Sequence, residues 1–259
     1  MDDVQNQQDK RGIKVQQTGV KNVCLPFLIE DGGKVQQVQA LIKFTVSLSQ
    51  NLRGTHMSRL LEILTDWTIK PLSMSAVMSI LTEAIDKLNT DATKIKIAFK
   101  YFVEREAPVS KKKSLLDLDC FFEAEIINEQ KKFILGVSVP LTTLCPCSKE
   151  ISNFGAHNQR SVCSIKIQFA DTKSTISINE LAKIIEMQAS SQMYGLLKRE
   201  DEKFVTEAAY KNPKFVEDIL RDVVLAVRKI DNVKYFSVEC ENFESIHNHN
   251  AFAFHEEFN

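Results

Sequence analysis

Hydrophobic and polar residues alternate along the early part of the chain in a way that predicts antiparallel strands. From Val38 to Leu48 every second residue is apolar, and this period of two is typical of a strand with one buried face. The Asp31-Gly32-Gly33 sequence just before it is a hairpin-turn signal. We therefore expect residues 24–29 and 34–48 to pair with each other.

Two segments that follow carry apolar residues at helical spacing. Met57 to Thr68 and Ser73 to Leu88 place leucine, isoleucine, valine or methionine every three or four residues, which predicts two amphipathic helices. Alternating strands are predicted next at residues 94–104 and 115–126. The lysines of residues 111–113, between these strands, are interpreted as a solvated hairpin tip.

The second half of the chain repeats this order of elements. Two strands, two helices and two more strands are predicted, in this order, at residues 132–144, 161–170, 178–189, 215–227, 233–240 and 250–255. Ser177 or Asn179 is the candidate N-cap of the first helix in this half. The order ββααββ thus occurs twice, although the two halves share no convincing residue-by-residue identity.

This grouping of strands and helices predicts an α+β fold with antiparallel sheets and helices layered on one face. We interpret the chain as two tandem copies of one ββααββ module. Residues 1–20, rich in Gln and Asp, are expected to form a mobile N-terminal arm with order beginning near Val23. The first module is then predicted at residues 21–130 and the second at residues 131–259.

Composition narrows the range of functions. The 259 residues include 33 Lys plus Arg and 34 Asp plus Glu, which gives a net charge of -1 and no electrostatic footprint for nucleic acid. No apolar run reaches the length of about 18 residues that a membrane span needs, so no membrane partner is expected. The polar N-terminus lacks the pattern of a secretory signal, which predicts a cytoplasmic protein whose six cysteines are thiols.

Residues 139–161 contain the densest group of reactive side chains. Cys145 and Cys147 flank Pro146, and Gly155 allows a turn that leads to His157. Thiolate and imidazole are ligands suited to Zn(II) or Fe(II). Their spacing matches no zinc finger, however, so a metal site and a pair of buried structural thiols with a capping histidine both stay open.

Two more clusters lie further along the chain. His247 and His249 would share one face of a strand and follow several acidic residues, although a solvated strand end is the simpler interpretation. Residues 196–218 are highly charged and could form a plain surface connection. Glu217 within them opens a predicted helix, where a carboxylate also has a structural reason, the helix dipole. The first half has no Cys-Pro-Cys sequence, so the chemistry is expected in the second module.

Several of these segments resemble the signature segments of the type IB GTP cyclohydrolase I family. They are TTLCPCSKEIS, GAHNQRS, YGLLKREDEKFVTE, NPKFVED and ESIHNHNAFA, together with NLRGTHMSRLLE in the first half. The resemblance implies the tunnelling fold, with two tandem ββααββ modules in each subunit of a homotetramer and active sites at subunit interfaces. It also implies hydrolysis of GTP to 7,8-dihydroneopterin triphosphate and formate, the entry to folate synthesis. The implied cofactor is one divalent metal per site, Mn(II), Fe(II) or Zn(II).

The resemblance further implies roles for individual residues. The metal-ligand pattern falls on Cys145, His157 and Glu202, with Glu200 and Glu207 as alternatives to Glu202. Glu217 matches the glutamate that anchors the purine. The groups expected to act in catalysis or proton transfer are Cys147, Glu244, His247 and His249. The cations that could bind the triphosphate are Lys149, Arg160, Lys198 and Arg199.

These residue types suit the reaction. An open-site divalent metal lowers the pKa of bound water toward about 7 and so supplies hydroxide for attack on C8 of guanine. A histidine can protonate N7, and His247 is the candidate. Glu217 can accept hydrogen bonds from guanine N1–H and the 2-amino group, a donor pair that adenine lacks.

Two other functions stay open from the sequence. One is an enzyme of the same fold with different chemistry, such as a nitrile reductase with a nucleophilic cysteine and NADPH. The metal partners His157 and Glu202 argue against it, because that mechanism does not need them. The other is a non-enzymatic metal-binding assembly module, which an assay with GTP separates from a cyclohydrolase.

Overall fold

A computed structural model of the protein describes residues 3–171 and 175–259. The chain forms two compact units. One contains the residues up to Lys100 together with Cys120–Leu135, and the other contains Tyr101–Asp119 and Gly136–Asn259. The modules predicted at residues 21–130 and 131–259 have other boundaries than these units, and they stay a prediction. Within the described residues, no helix combines the length and the apolar character that crossing a membrane requires.

The first unit consists of long antiparallel strands and two helices. Its elements are β1 (Val15–Asp31), β2 (Lys34–Leu48), α1 (Met57–Trp67), β3 (Pro71–Leu72), α2 (Met74–Leu88) and parts of β4 (Ala92–Glu106), β5 (Lys113–Ile127) and β6 (Gln130–Leu144). Neighbouring strands follow the order β6-β5-β4-β2-β1-β3. Strand β2 is antiparallel to both β1 and β4, and α1 contacts α2 and β1.

The alternation in the sequence is confirmed in β2. Its side chains at every second position are buried, namely Val38, Ala40, Ile42, Phe44, Val46 and Leu48. The predicted hairpin closes at the pair Asp31 and Lys34, and both intervening glycines adopt positive φ angles that other residues rarely tolerate. Helices α1 and α2 also occur where predicted, and Ser73 caps α2 through its side chain.

The predicted start of order near Val23 is wrong, whereas the mobility of the N-terminal arm stays a prediction. Residues 1 and 2 lie outside the described residues, Val4–Asn6 form a short 3-10 helix, and β1 begins at Val15 rather than near Val23. Backbone pairing with β2 does not require apolar side chains, so the polar composition of this segment was misleading. At Gly19 a Cβ would lie 2.1 Å from the carbonyl oxygen of Phe44, so this close approach of β1 to β2 needs glycine.

The second unit contains the remaining elements. They are parts of β4, β5 and β6, followed by α3 (Pro146–Ile151), β7 (Asn158–Phe169), α4 (Ile178–Glu186), β8 (Ser191–Gln192), α5 (Arg199–Lys211), α6 (Val216–Val227), β9 (Val233–Asn242) and β10 (Ala251–Phe258). Neighbouring strands follow the order β10-β9-β7-β6-β5-β4, with β8 beside β6. Of the two candidate N-caps of α4, Ser177 performs the capping, in a reciprocal pair with Glu180.

The charged segment of residues 196–218, which could have been a plain surface connection, contains helix α5. Its N-terminus is held by Asp201, a fully buried carboxylate. The carboxylate accepts hydrogen bonds from the backbone N–H of Lys198 (2.9 Å), of Val109 (2.8 Å) and of Ser110 (2.9 Å), and from the Ser110 hydroxyl (2.6 Å). Asp201 therefore caps α5 and ties it to the turn between β4 and β5.

Asp201 is expected to make stability depend on pH. Burial alone would raise the pKa of Asp201, but its hydrogen bonds from Ser110, Lys198 and Val109 outweigh burial and hold that pKa well below the ordinary value of 3.8. A lowered carboxyl pKa contributes stability above the unfolded pKa that is lost as the pH falls. We expect Asp201→Asn to lower the Tm by several degrees near neutral pH, with a smaller difference below about pH 4.

Thermal melts followed by circular dichroism across this pH range check the expectation. Glu200→Gln is the matched control, because Glu200 is exposed in the same helical turn, and its Tm should stay close to that of the parent protein. A Tm difference for Asp201→Asn that is the same at neutral and acidic pH would contradict the role assigned to the carboxylate.

Candidate active site

The segment that follows β6 folds into a short helix capped by a cysteine. Cys145 is the N-cap of α3, and its Sγ accepts the backbone N–H of Ser148 at 3.4 Å. Pro146 occupies the first turn, where its fixed φ suits a helix and its missing N–H has no consequence. The Cys145 thiol is half-buried and the Cys147 thiol is exposed. The Cys-Pro-Cys sequence thus directs its two thiols into different environments.

A tight turn returns the chain from α3 to the side of Cys145. Gly155 has a φ of 73° and makes the turn that its position in the sequence predicts. The backbone N–H of Cys145 donates to the carbonyl oxygen of His157 at 3.1 Å, and the N–H of His157 donates to the Ser148 hydroxyl at 3.0 Å. Local hydrogen bonds therefore hold Cys145 and His157 at adjacent backbone positions.

The imidazole of His157 is oriented by a network of polar side chains. Its Nδ1 lies 3.0 Å from Oε1 of Gln159 and 3.9 Å from Oε2 of Glu244. The Gln159 Nε2 donates to the Thr143 hydroxyl at 2.9 Å and to Glu244 Oε1 at 3.5 Å, which turns the amide oxygen toward the imidazole. We therefore assign the imidazole proton to Nδ1, so that the lone pair of Nε2 is available to another partner.

The predicted carboxylate ligand, Glu202, does not form one cluster with Cys145 and His157. Glu202, like Glu200, is exposed on α5, and Glu207 forms an ion pair with Lys203 at 2.6 Å. Across residues 3–171 and 175–259, no three His, Cys, Asp or Glu side chains lie close enough together to hold a metal ion. Within the described chain, then, Cys145 and His157 are brought together while Glu202 does not complete a set of three ligands with them.

The predicted phosphate-binding cations have different surroundings. The Lys149 Nζ donates to the carbonyl oxygen of Tyr210 at 2.6 Å and lies 4.5 Å from the centre of the Tyr210 ring. Lys149 is thus held against the end of α5. The side chains of Arg160, Lys198 and Arg199 are exposed. These three cations remain accessible to an anion.

The predicted purine anchor and the two C-terminal histidines are exposed. Glu217 lies in the first turn of α6. His247 and His249 lie in a bend between β9 and β10, outside both strands, and their rings stack with centroids 5.2 Å apart. Glu244, just before them, is oriented toward His157 instead. The C-terminal cluster therefore divides into one half-buried carboxylate and two exposed imidazoles.

Sequence reasoning missed three residues of this site, Gln159, Thr143 and Ser148. Gln159 follows His157 by two residues at the beginning of β7, so the period of a strand places both side chains on one face. That spacing was a usable signal. Thr143, on β6, and Ser148, inside α3, carry no comparable pattern.

Comparison with known structures defines the class of fold. The uricase of Arthrobacter globiformis matches with a TM-score of 0.55 and 6% identity, covering 94% of this chain and 93% of that chain. The urate oxidase of Bacillus sp. TB-90 matches with a TM-score of 0.56 and 8% identity, covering 95% and 100%. Both likenesses concern the fold alone. They confirm an α+β architecture with a mostly antiparallel sheet.

Sequence similarity is far more specific. The sequence profile of the type I GTP cyclohydrolase FolE2 matches residues 1–253. The GTP cyclohydrolase FolE2 of Syntrophus aciditrophicus (strain SB) is 44% identical over 255 residues, 98% of each chain. That of Dictyoglomus thermophilum is 46% identical over 254 residues, 98% of this chain and 96% of the relative.

These matches place the protein among the type I GTP cyclohydrolases. Within that class, the chain belongs to the FolE2 family. The resemblance identified from the signature segments is thereby confirmed in part: the chain is a GTP cyclohydrolase, but the family that the matches show is FolE2 and not the expected type IB.

Proposed function

We propose that the protein is a cytoplasmic GTP cyclohydrolase that converts GTP to 7,8-dihydroneopterin triphosphate and formate at the entry to folate synthesis. One observation carries the proposal, namely 44% and 46% identity over 98% of the chain to proteins named GTP cyclohydrolase FolE2. The adjacent Cys145 and His157 supply a thiol and an oriented imidazole of the kind that this hydrolysis can use.

The residues around Cys145 fit a divalent metal, Mn(II), Fe(II) or Zn(II), as the cofactor. The Cys145 thiol is half-buried, and the His157 Nδ1 is engaged by Gln159, which leaves Nε2 as the ligating nitrogen. Histidine ligands of metals are commonly oriented in this way through their other ring nitrogen. When bound, such a metal activates water for attack on C8 of guanine.

The third ligand in this proposal is Glu202. Since Glu207 is already paired with Lys203, the structure favours Glu202 or Glu200 among the acidic residues of α5. Cys147, Glu202 and Glu217 are all exposed in the single chain, which agrees with a site completed by another subunit. The proposed assembly is the homotetramer of the tunnelling fold, with its active sites at subunit interfaces.

The other side chains act on the purine and on protons. Glu217 accepts hydrogen bonds from guanine N1–H and the 2-amino group, because its carboxylate offers two acceptor oxygens. His247 donates a proton to N7, while His249 and Cys147 serve the later ring-opening and rearrangement steps. Glu244 helps to orient His157, as their 3.9 Å contact supports.

The triphosphate in this proposal is held by exposed cations of the second unit. Arg160, Lys198 and Arg199 are available for this, and Arg can bind a phosphate with two parallel hydrogen bonds. Lys149 contributes after it exchanges the carbonyl oxygen of Tyr210 for a phosphate oxygen.

The test is direct. Purified full-length protein should be incubated anaerobically with GTP and Mn(II), Fe(II) or Zn(II), and the product should be oxidised to a fluorescent pterin. We expect one formate released for each pterin formed, and no turnover of ATP under the same conditions. If GTP is left unchanged with each of the three metals, the proposed function is wrong. NADPH consumption in a parallel assay would point to a reductase instead.

A further inference from the structure

Gln159 is a buried amide whose two ends face different partners. Only 7% of the residue is exposed, at the beginning of β7. Its Nε2 donates to the Thr143 hydroxyl at 2.9 Å and to Oε1 of Glu244 at 3.5 Å, and its Oε1 lies 3.0 Å from Nδ1 of His157. The side chain therefore connects a carboxylate at one end of the amide with an imidazole at the other.

The amide of Gln159 could fill the same space in two orientations, because an amide oxygen and an amide nitrogen have nearly the same size. Thr143 does not decide between them, since a hydroxyl can either accept or donate a hydrogen bond. Glu244 does decide, since a carboxylate only accepts. In the reversed amide, the oxygen would face the carboxylate with no proton between the two acceptors. Glu244 therefore turns the amide oxygen toward His157.

The orientation of the amide determines which nitrogen of His157 carries the proton. An amide oxygen beside Nδ1 requires the proton on Nδ1, which leaves the lone pair on Nε2. An amide NH2 group beside Nδ1 would require the lone pair there and would place the proton on Nε2. Glu244 does not fix the proton directly, because its Oε2 lies 3.9 Å from Nδ1, beyond the length of a hydrogen bond. Its effect on the imidazole is carried by Gln159.

We propose that Gln159 is a positioning residue through which the carboxylate of Glu244 selects the His157 tautomer with a free Nε2. Thr143, fully buried on β6, holds the nitrogen end of the amide in place. The consequence for a metal held by Cys145 and His157 rests on the proposed function, because only this tautomer offers Nε2 as a ligand. The tautomer itself depends on neither a metal nor GTP.

Nitrogen NMR of the metal-free full chain, with isotope-labelled histidine, tests the tautomer directly. A protonated ring nitrogen and one with a lone pair give well-separated signals, and the signals of His157 are those that disappear in His157→Gln. At a pH at which the imidazole is neutral, we expect the proton on Nδ1 in the parent protein. We expect a mixture of tautomers in Gln159→Leu, which has no amide, and in Glu244→Gln, where the new side chain can donate as well as accept.

Exchanging the two groups gives the sharpest test. In the double variant Gln159→Glu with Glu244→Gln, a carboxylate lies beside Nδ1 and an amide lies behind it. The carboxylate only accepts, so it again requires the proton on Nδ1. We therefore expect the tautomer of the parent protein to return. A purely structural role of Gln159 predicts no such rescue.

The affinity of the metal-free protein for Zn(II), measured by competition with a chelator, gives a second readout. We expect a loss of about tenfold to a hundredfold in Gln159→Leu and in Glu244→Gln, and recovery of most of it in the double variant. Gln168→Leu is the matched control, because Gln168 is a buried glutamine at the other end of β7, and it should bind Zn(II) like the parent protein. Melting curves show which variants are folded. If Gln159→Leu does not fold, Glu244→Gln and the double variant decide the question.

The parent tautomer in every folded single variant would overturn the proposal, and so would a double variant that stays mixed. Mixed tautomers with an unchanged affinity for Zn(II) would overturn the positioning role of Gln159. Failure of the proposed function gives a different result. If the parent protein does not hydrolyse GTP but the variants show the expected tautomers, the cyclohydrolase assignment is wrong while the relation between Glu244, Gln159 and His157 holds.

Discussion

Replacing Cys145 by serine is expected to reduce GTP hydrolysis by at least about a thousandfold while the fold stays intact. Cys145 both caps α3 and provides the proposed thiolate ligand. Serine is a good N-cap, so its hydroxyl can still accept the N–H of Ser148. A serine hydroxyl does not replace a thiolate as a metal ligand, however, so serine removes the second role and keeps the first.

Activity and metal content should be measured on the same anaerobic preparation. Cys24→Ser is the matched control, since Cys24 is an exposed thiol on β1, and it should retain both quantities. Cys145→Ala removes the cap as well, so a lower Tm for alanine than for serine would separate the two roles. Metal content and turnover at the level of the parent protein in Cys145→Ser would exclude Cys145 from the ligands.

Replacing Glu217 by glutamine is expected to lower kcat/KM for GTP by between about a hundredfold and ten-thousandfold. A glutamine side chain presents one acceptor and one donor group, so a donor would face either N1–H or the 2-amino group of guanine. The structural effect should be small. Loss of one first-turn charge costs about 0.3–1 kcal/mol, and Asp218 still accepts the N–H of Phe215 at 3.0 Å.

Inosine triphosphate provides the matched substrate, because it lacks the 2-amino group but keeps N1–H. The parent protein should prefer GTP to inosine triphosphate, and Glu217→Gln should lose most of that preference. Steady-state kinetics with both nucleotides give the comparison, and a melting curve shows whether the variant is folded. If the variant keeps the affinity for GTP and the preference of the parent protein, Glu217 does not anchor the purine.

The regular elements could be predicted because their signals are local. The two-residue period of β2 and the helical spacing in α2 follow from burial of one face. Helix α5 offered no such signal, since few of its side chains are apolar and Asp201 is the residue that anchors it. The partners of Asp201, Val109 and Ser110, lie 92 and 91 residues earlier, a contact that no local pattern reveals.

The same distinction applies to the candidate site. Cys145 and His157 could be paired from the sequence because a short turn at Gly155 joins them. The contact between Gln159 and Glu244 spans 85 residues and depends on the register of β7 and β9, in which Ser161 lies opposite Asn242. Continuing that register by two residues brings Gln159 opposite Glu244. Only the assembled sheet shows this relation.

The bond between Asp201 and the turn after β4 has a consequence for how the protein tolerates change. Glu202 directly follows Asp201 in α5, so the hydrogen bonds that fix the position of Asp201 also fix the backbone position of Glu202. An insertion at residues 109–110 would therefore displace the acidic first turn of α5. The length of the turn between β4 and β5 is thus constrained by the carboxylate of Asp201, which belongs to a different part of the chain.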